Sequence, residues 1–246
     1  MFLDDFERFL RPVARLGQLN SLALALLRLT APGVPDIYQG TELWDLSLVD
    51  PDNRRPVDFA QRRALLAELP EPDADAPGDP PDWRHPDGRA KLYLIRQALR
   101  LRAAAPALFA AGDYQPLPVH GPLADHLIAF ARVGDGLVLV AVAPRLLAPL
   151  VLRQAGVAAS AEAIASDRID SNAIDAIDLD GAGGVDPFTH PDWATTLIEV
   201  SGRHWRDRLG GGRLDAIAAD DGGYRLRAAD ILGRFPVGML SGGDGW

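Results

Sequence analysis

The stretch Gly33–Phe59, GVPDIYQGTELWDLSLVDPDNRRPVDF, decides how the chain is read. Its opening residues, Val34 to Tyr38, form a short run between Gly and Pro signals and predict a strand. The preceding segment, Val13 to Leu29, becomes apolar nearly all round at SLALALLRL, and Ala31-Pro32-Gly33 stops it. A helix of that composition expects neighbours on most faces. Helix, tight turn and short strand together make an αβ unit, which belongs in a parallel sheet or barrel. One such strand cannot satisfy its own backbone, so it needs partners.

After that strand the chain turns polar. Tyr38, Gln39, Glu42, Trp44, Asp50, Asp52, Asn53, Arg54 and Arg55 crowd into one short loop. Carboxylates and amides accept from or donate to hydroxyls, and Arg donates in a fork. Tyr and Trp add flat apolar area with a polar tip. This chemistry suits an uncharged polyol such as a glucan, and a loop after a strand suits a barrel mouth. The competing reading has Asp50, Asp52, Arg54 and Arg55 merely tying the loop together through ion pairs and Asx turns. Asp36 is a buried polar anchor, an inward ligand or neither, since strand alternation does not decide. Glu42 reads as structural rather than catalytic.

Upstream, Phe2, Phe6, Phe9, Leu10 and Val13 recur at helical spacing, and Pro12 is expected to end or kink that helix. Downstream, Gln61 to Leu69 predicts a helix. Ala67 to Asp82, AELPEPDADAPGDPPD, has acids and prolines and no basic residue, so an exposed, mobile loop is expected. Asp87 caps a predicted helix from Gly88 to about Ala104, with Leu92, Ile95 and Leu99 on its apolar face. After Gly112 the pattern changes to strands. HLIAFARVGDGLVLVAVA predicts a hairpin around Gly134-Asp135-Gly136, and WATTLIEV, GYRLRA and FPVGML predict further strands. These point to a separate antiparallel β domain. Gln154 to Asp186, Ala-rich and acidic, fits no element.

Composition bounds the function. The chain has 246 residues, 48% of them hydrophobic, and a formal net charge of −9. Such a field repels nucleic acid and anionic membranes. With no cysteine there are no disulfides, thiolate nucleophiles or Cys-type zinc sites. The five histidines, at 85, 120, 126, 190 and 204, show no metal-ligand spacing, so neither metal nor cofactor is expected. The N-terminal MFLDDFERFL is broken by acids at once and is not a signal peptide, and Leu22 to Leu29 is too short to span a bilayer. A cytoplasmic location is expected.

LTAPGVPDIYQGTELWDLSLVDPDNRRPVDF resembles the C-terminal third of the maltooligosyltrehalose synthases, members of the α-amylase superfamily. GVPDIYQGTE is similar to the superfamily's eighth-strand segment, while WDLSLVDPDNRRPVD is specific to the narrower family. ALRLRAAAPALFAAGDYQPLPVHG resembles the final barrel helix and its exit, and DHLIAFAR and RFPVGML the start and end of the C-terminal β domain. The resemblance implies an α+β chain. Residues 1–112 would be the last piece of a (β/α)8 barrel, with strand eight and the final helix, and 113–246 an antiparallel β-sandwich.

It also implies a reaction: isomerisation of the reducing-end α-1,4 linkage of a maltodextrin to α,α-1,1, by intramolecular transglycosylation with retention. Asp50, Asp52, Asn53 and Arg54, with Tyr38, Gln39 and Trp44, would bind the glucan. In that family the nucleophile, acid/base and third catalytic Asp lie on earlier barrel strands. Asp36 and Glu42, separated by a glycine turn, are not placed as the pair about 5 Å apart that retention needs. No catalytic residue is therefore expected in this chain, which would be inactive alone and would depend on an N-terminal complement. The alternative is a non-catalytic glucan-binding or scaffold protein derived from such an enzyme.

Overall fold

The computed structural model describes residues 2–155, 177, 179 and 185–243. Most of Gln154–Asp186, the segment with no sequence assignment, lies outside the described residues. The fold is α+β, with helices first and wholly antiparallel sheets after. Helix α1 runs from Phe2 to Thr30 without a break, through Pro12. The expected end of the helix at Pro12 is corrected. Proline removes one N–H donor, a small loss among the bonds of a 29-residue helix, and Pro12 is itself buried. The helix ends where expected, with the Thr30 hydroxyl donating to Leu26 O (2.7 Å) and Ala31 N to Leu27 O (2.8 Å).

Only the second half of α1 is well buried, through Leu19, Leu22, Ala23, Leu26 and Leu29. It packs on α3 (Arg89–Ala104) and on strand β4 (Leu137–Pro144). α3 buries Leu92, Tyr93, Leu94, Ile95 and Ala98, but Leu99 points outward, 46% exposed, contrary to the expected face. Between them come the loop Ala31–Asp58 and α2 (Phe59–Glu68). Val34–Tyr38 is not a strand. It carries no regular secondary structure and joins no ladder among the described residues, and Val34 is 94% exposed. The sequence pattern is that of a strand, but no described strand pairs with it, and an unpaired strand cannot satisfy its backbone.

The sheets start after α4 (Pro106–Ala111). Six strands run in the order β1 (Asp113–Pro116), β3 (Leu127–Gly134), β4, β10 (Gly238–Gly243), β6 (His204–Asp207), β7 (Arg213–Asp215). Four more run β2 (Val119–His120), β5 (Leu197–Val200), β9 (Tyr224–Arg227), β8 (Ile217–Ala218). The β3–β4 hairpin closes at Asp135-Gly136, with Gly134 opposite Leu137. Two short helices, α5 (Leu147–Gln154) and α6 (Ala228–Leu232), complete the described elements apart from 3-10 turns.

One buried cluster runs from Leu19 on α1 through α3 and α4 to Leu240 on β10. Arg132 of β3, 1% exposed, pins this junction. Its guanidinium donates to Thr30 O at the end of α1 (3.1 Å), to Leu108 O and Phe109 O of α4 (both 3.1 Å) and to Gly112 O (2.8 Å). A cation at two helix C-termini also complements the negative ends of their dipoles. The acidic segment after α2 is exposed over most of its length, as expected, and is tied to the β region. Gly78 N donates to Gly210 O and Gly212 N to Asp73 O, both at 2.8 Å, and Arg213 pairs with Asp75. Gly211, at φ 71, lets these backbones meet: a Cβ there would stand 2.8 Å from Ala76 O. No described helix is long and apolar enough to cross a membrane.

Candidate functional site

The loop between α1 and α2 is built by side chains reaching back to its own backbone. The Thr41 amide and hydroxyl both donate to Tyr38 O (3.1 and 2.7 Å). Leu43, 6% exposed, anchors the loop in the core. Asp45 Oδ1 accepts from the Ser47 hydroxyl (2.6 Å) and amide (2.9 Å). Those bonds, the hydroxyl foremost, hold the Asp45 carboxyl below the usual range. Asp52 Oδ2 accepts from Leu48 N (2.8 Å), and its other oxygen pairs with Arg55. Asp50 receives both Nε (3.1 Å) and Nη2 (2.5 Å) of Arg54. Asp58 caps α2 by accepting from Gln61 N (2.8 Å).

The loop closes on α2 and α3. Arg62, in the first turns of α2, donates to Glu42 Oε2 (3.1 Å) and Gly40 O (2.6 Å). The Trp44 indole N–H reaches His85 O at 3.4 Å, and the Lys91 ammonium lies 6.0 Å from the Trp44 ring centre. Burial pushes the Lys91 ammonium below its usual pKa. Gly88, at the start of α3, has φ 75, and a Cβ there would fall 2.6 Å from Trp44 N.

These contacts leave an open concavity of about 400 Å³. Gln39, Trp44, Asp52 and Asn53 line it together with Arg55. Asn53 Oδ1 is buried with no hydrogen-bond partner in the described structure. Tyr38 lies elsewhere, in a second hollow of about 340 Å³ between α1 and the loop. Asp50 and Arg54 pair with each other and line neither space. Asp36 is exposed, and its carbonyl accepts from Arg28 at 2.8 Å. Glu42 and Arg55 spend their charge on Arg62 and Asp52. Sequence reasoning missed Asp45, Ser47, Asp58 and Arg62 as lining residues. The D-x-S spacing and the capping Asp before α2 were the available signals.

By chemistry the concavity is a polar, aromatic-edged cleft, set on an α+β chain with antiparallel sheets. The particular proteins it is similar to are maltooligosyltrehalose synthases, and the similarity covers a portion of their length. No protein-family model matches the chain. Over 121 residues, 49% of this chain, it is 49% identical to proteins of two Mycobacterium tuberculosis strains, CDC 1551 and H37Rv, whose name, maltooligosyl trehalose synthase, is provisional. The solved maltooligosyltrehalose synthase of Arthrobacter ramosus overlays 95% of this chain with a TM-score of 0.63 at 36% identity. A further solved maltooligosyl trehalose synthase, 22% identical with a TM-score of 0.53, shares the fold. The match spans 14% of the mycobacterial relatives and 23% of the Arthrobacter chain.

Proposed function

We propose that this chain is the C-terminal part of a maltooligosyltrehalose synthase, carrying glucan-binding groups while another polypeptide segment carries the bond-breaking carboxyls. The observation behind this is the overlay of nearly the whole chain on a solved enzyme of that kind. The reaction turns the reducing-end α-1,4 linkage of a maltodextrin into α,α-1,1. In a retaining mechanism one carboxylate forms a glycosyl-enzyme and a second carboxyl serves as acid, then base. The released glucose must turn and re-attack before water does, so groups that grip it and exclude water decide the outcome. In this reading residues 1–112 complete the catalytic barrel and 113–246 form a supporting β-sandwich, all in the cytoplasm.

The loop is suited to the gripping task. Gln39, Trp44, Asp52 and Asn53 line one concavity, and such amide and carboxylate groups suit sugar hydroxyls. The Asp50–Arg54 pair, both side chains more than half exposed, serves chiefly to shape the loop.

Titration of the full chain with maltohexaose tests this. Trp44→Ala and Asn53→Ala are expected to weaken binding by about tenfold, as loss of one contact of about 1.4 kcal/mol would. Arg54→Ala should change it less. Equal affinities in all forms would remove the role of the loop. The unaided chain is expected to yield no non-reducing product from maltohexaose, and conversion by it would overturn the division of labour.

A further inference from the structure

Lys91 is the sole lysine among the 246 residues; the other strongly basic side chains are all arginines. It stands in the first turn of α3, where its amide donates to the N-cap carbonyl, Gly88 O, at 2.9 Å. Helical side chains lean back toward the N-terminus, which carries this one to the edge of the loop. There the partly buried ammonium is weakly held. It donates to Leu43 O at 3.5 Å and lies 6.0 Å from the Trp44 ring centre. Trp44 and Asp45, the next two residues of the loop, both line the cleft of about 400 Å³. Charge on the nitrogen is disfavoured first by burial and then by Arg28, and Asp45 and Glu42 offset this in part. The positive end of the α3 dipole acts in the same direction as burial. A lysine amine kept partly neutral in this way is a nucleophile toward carbonyl carbon.

We propose that Lys91 is a covalent capture site for the reducing end of a maltodextrin held in the cleft, which it binds as an imine through Nζ. This rests on the reading of the loop as glucan-binding. The carbonyl is the C1 aldehyde of the ring-opened terminal glucose. The neutral amine adds to C1, forming the N–C bond and leaving a hydroxyl on that carbon. The two protons of the nitrogen then depart with that oxygen as water, and a C=N bond remains. No electrons are exchanged, so no oxidant or reductant is needed. The chemistry separates two classes of sugar. A chain ending in an α,α-1,1 linkage has both anomeric carbons locked as acetals and offers no aldehyde, so capture is confined to reducing chains.

The test incubates the full 246-residue chain with maltohexaose and cyanoborohydride, which reduces the imine to a stable secondary amine, and maps the product by peptide mass spectrometry. The α-amino group is the chain's only other primary amine and serves as the internal reference. The Lys91 peptide should gain the hexasaccharide faster than the N-terminal peptide does. Lys91→Arg should lose that adduct while keeping the parent's circular dichroism. Trp44→Ala should slow it toward the rate of the α-amino group. Trehalose should label neither amine. With glyceraldehyde, too small for the cleft to hold, the preference for Lys91 should shrink. Labelling confined to the α-amino group overturns the proposal. So does a preference for Lys91 that is the same with glyceraldehyde, or one that Trp44→Ala leaves unchanged. Calorimetric titration with maltohexaose keeps the two readings apart. A chain that binds the sugar yet is not labelled at Lys91 removes the capture site and leaves the role of the loop standing, whereas one that neither binds nor is labelled removes both.

Discussion

At the residue scale, Asp207 is a carboxyl held in an unfavourable place. It is 4% exposed, and burial, above all, raises its pKa, although Leu209 N (2.9 Å), Gly210 N (3.0 Å) and the charge of Arg234 pull the other way. A carboxyl with a raised folded pKa binds more protons folded than unfolded. Its contribution is therefore favourable at low pH and lost as pH rises from the unfolded value, near 3.8, through the folded one. Asp207→Asn keeps an oxygen for both amides and removes the charge. Its melting temperature relative to the parent should rise across that window and level off above it. A constant difference in thermal melts from pH 3 to pH 8, a range of about five units set by ordinary carboxyl titration, would refute the assignment.

At the element scale, Gly88 links the start of α3 to the candidate site. Its carbonyl accepts from Lys91 N (2.9 Å) and Leu92 N (3.2 Å), while its missing side chain leaves room for Trp44 N. Gly88→Ala should destabilise the chain by about 1–3 kcal/mol, the cost of a strained left-handed residue, and weaken glucan binding with it. Urea midpoints and the maltohexaose titration would check both. Gly88 also shows what the sequence made legible. The helix α3 and the β3–β4 hairpin were readable, because periodicity and turn glycines are local signals, but the expected cap is corrected: Gly88, not Asp87, is the N-cap, with no side-chain cap bond. The position of Gly88 against Trp44 was not readable, since that approach joins residues 44 positions apart. Strands β2, β7 and β8 escaped notice for a related reason, being two or three residues long and too short to show a period, while β1 and β6 are polar or exposed at alternate positions and carry no apolar run. In the loop, the residue types suggested sugar chemistry. Only the fold separated Asp52, which lines the concavity, from Asp50, which is taken up by Arg54.

At the scale of the whole molecule, the buried guanidinium of Arg132 fastens the helices to the sheets. Arg132→Met fills similar space but leaves several carbonyls without a donor. Each orphaned acceptor costs about 1–3 kcal/mol, so a loss of about 3 kcal/mol or more is expected. Arg132→Lys should recover only part, because one ammonium cannot span acceptors on α1, on α4 and at Gly112. Denaturant unfolding followed by both near- and far-ultraviolet dichroism would measure it. The parent should give coincident transitions, since one cluster spans both regions.

That shared cluster also bears on how such a chain could be recombined with its relatives. The break between helices and strands at Gly112 looks like a natural place to splice, yet a hybrid cut there would pair a guanidinium from one parent with carbonyls from another. Shuffled proteins that exchange the two regions together should fold, whereas those that trade the strands alone inherit a lock without its key.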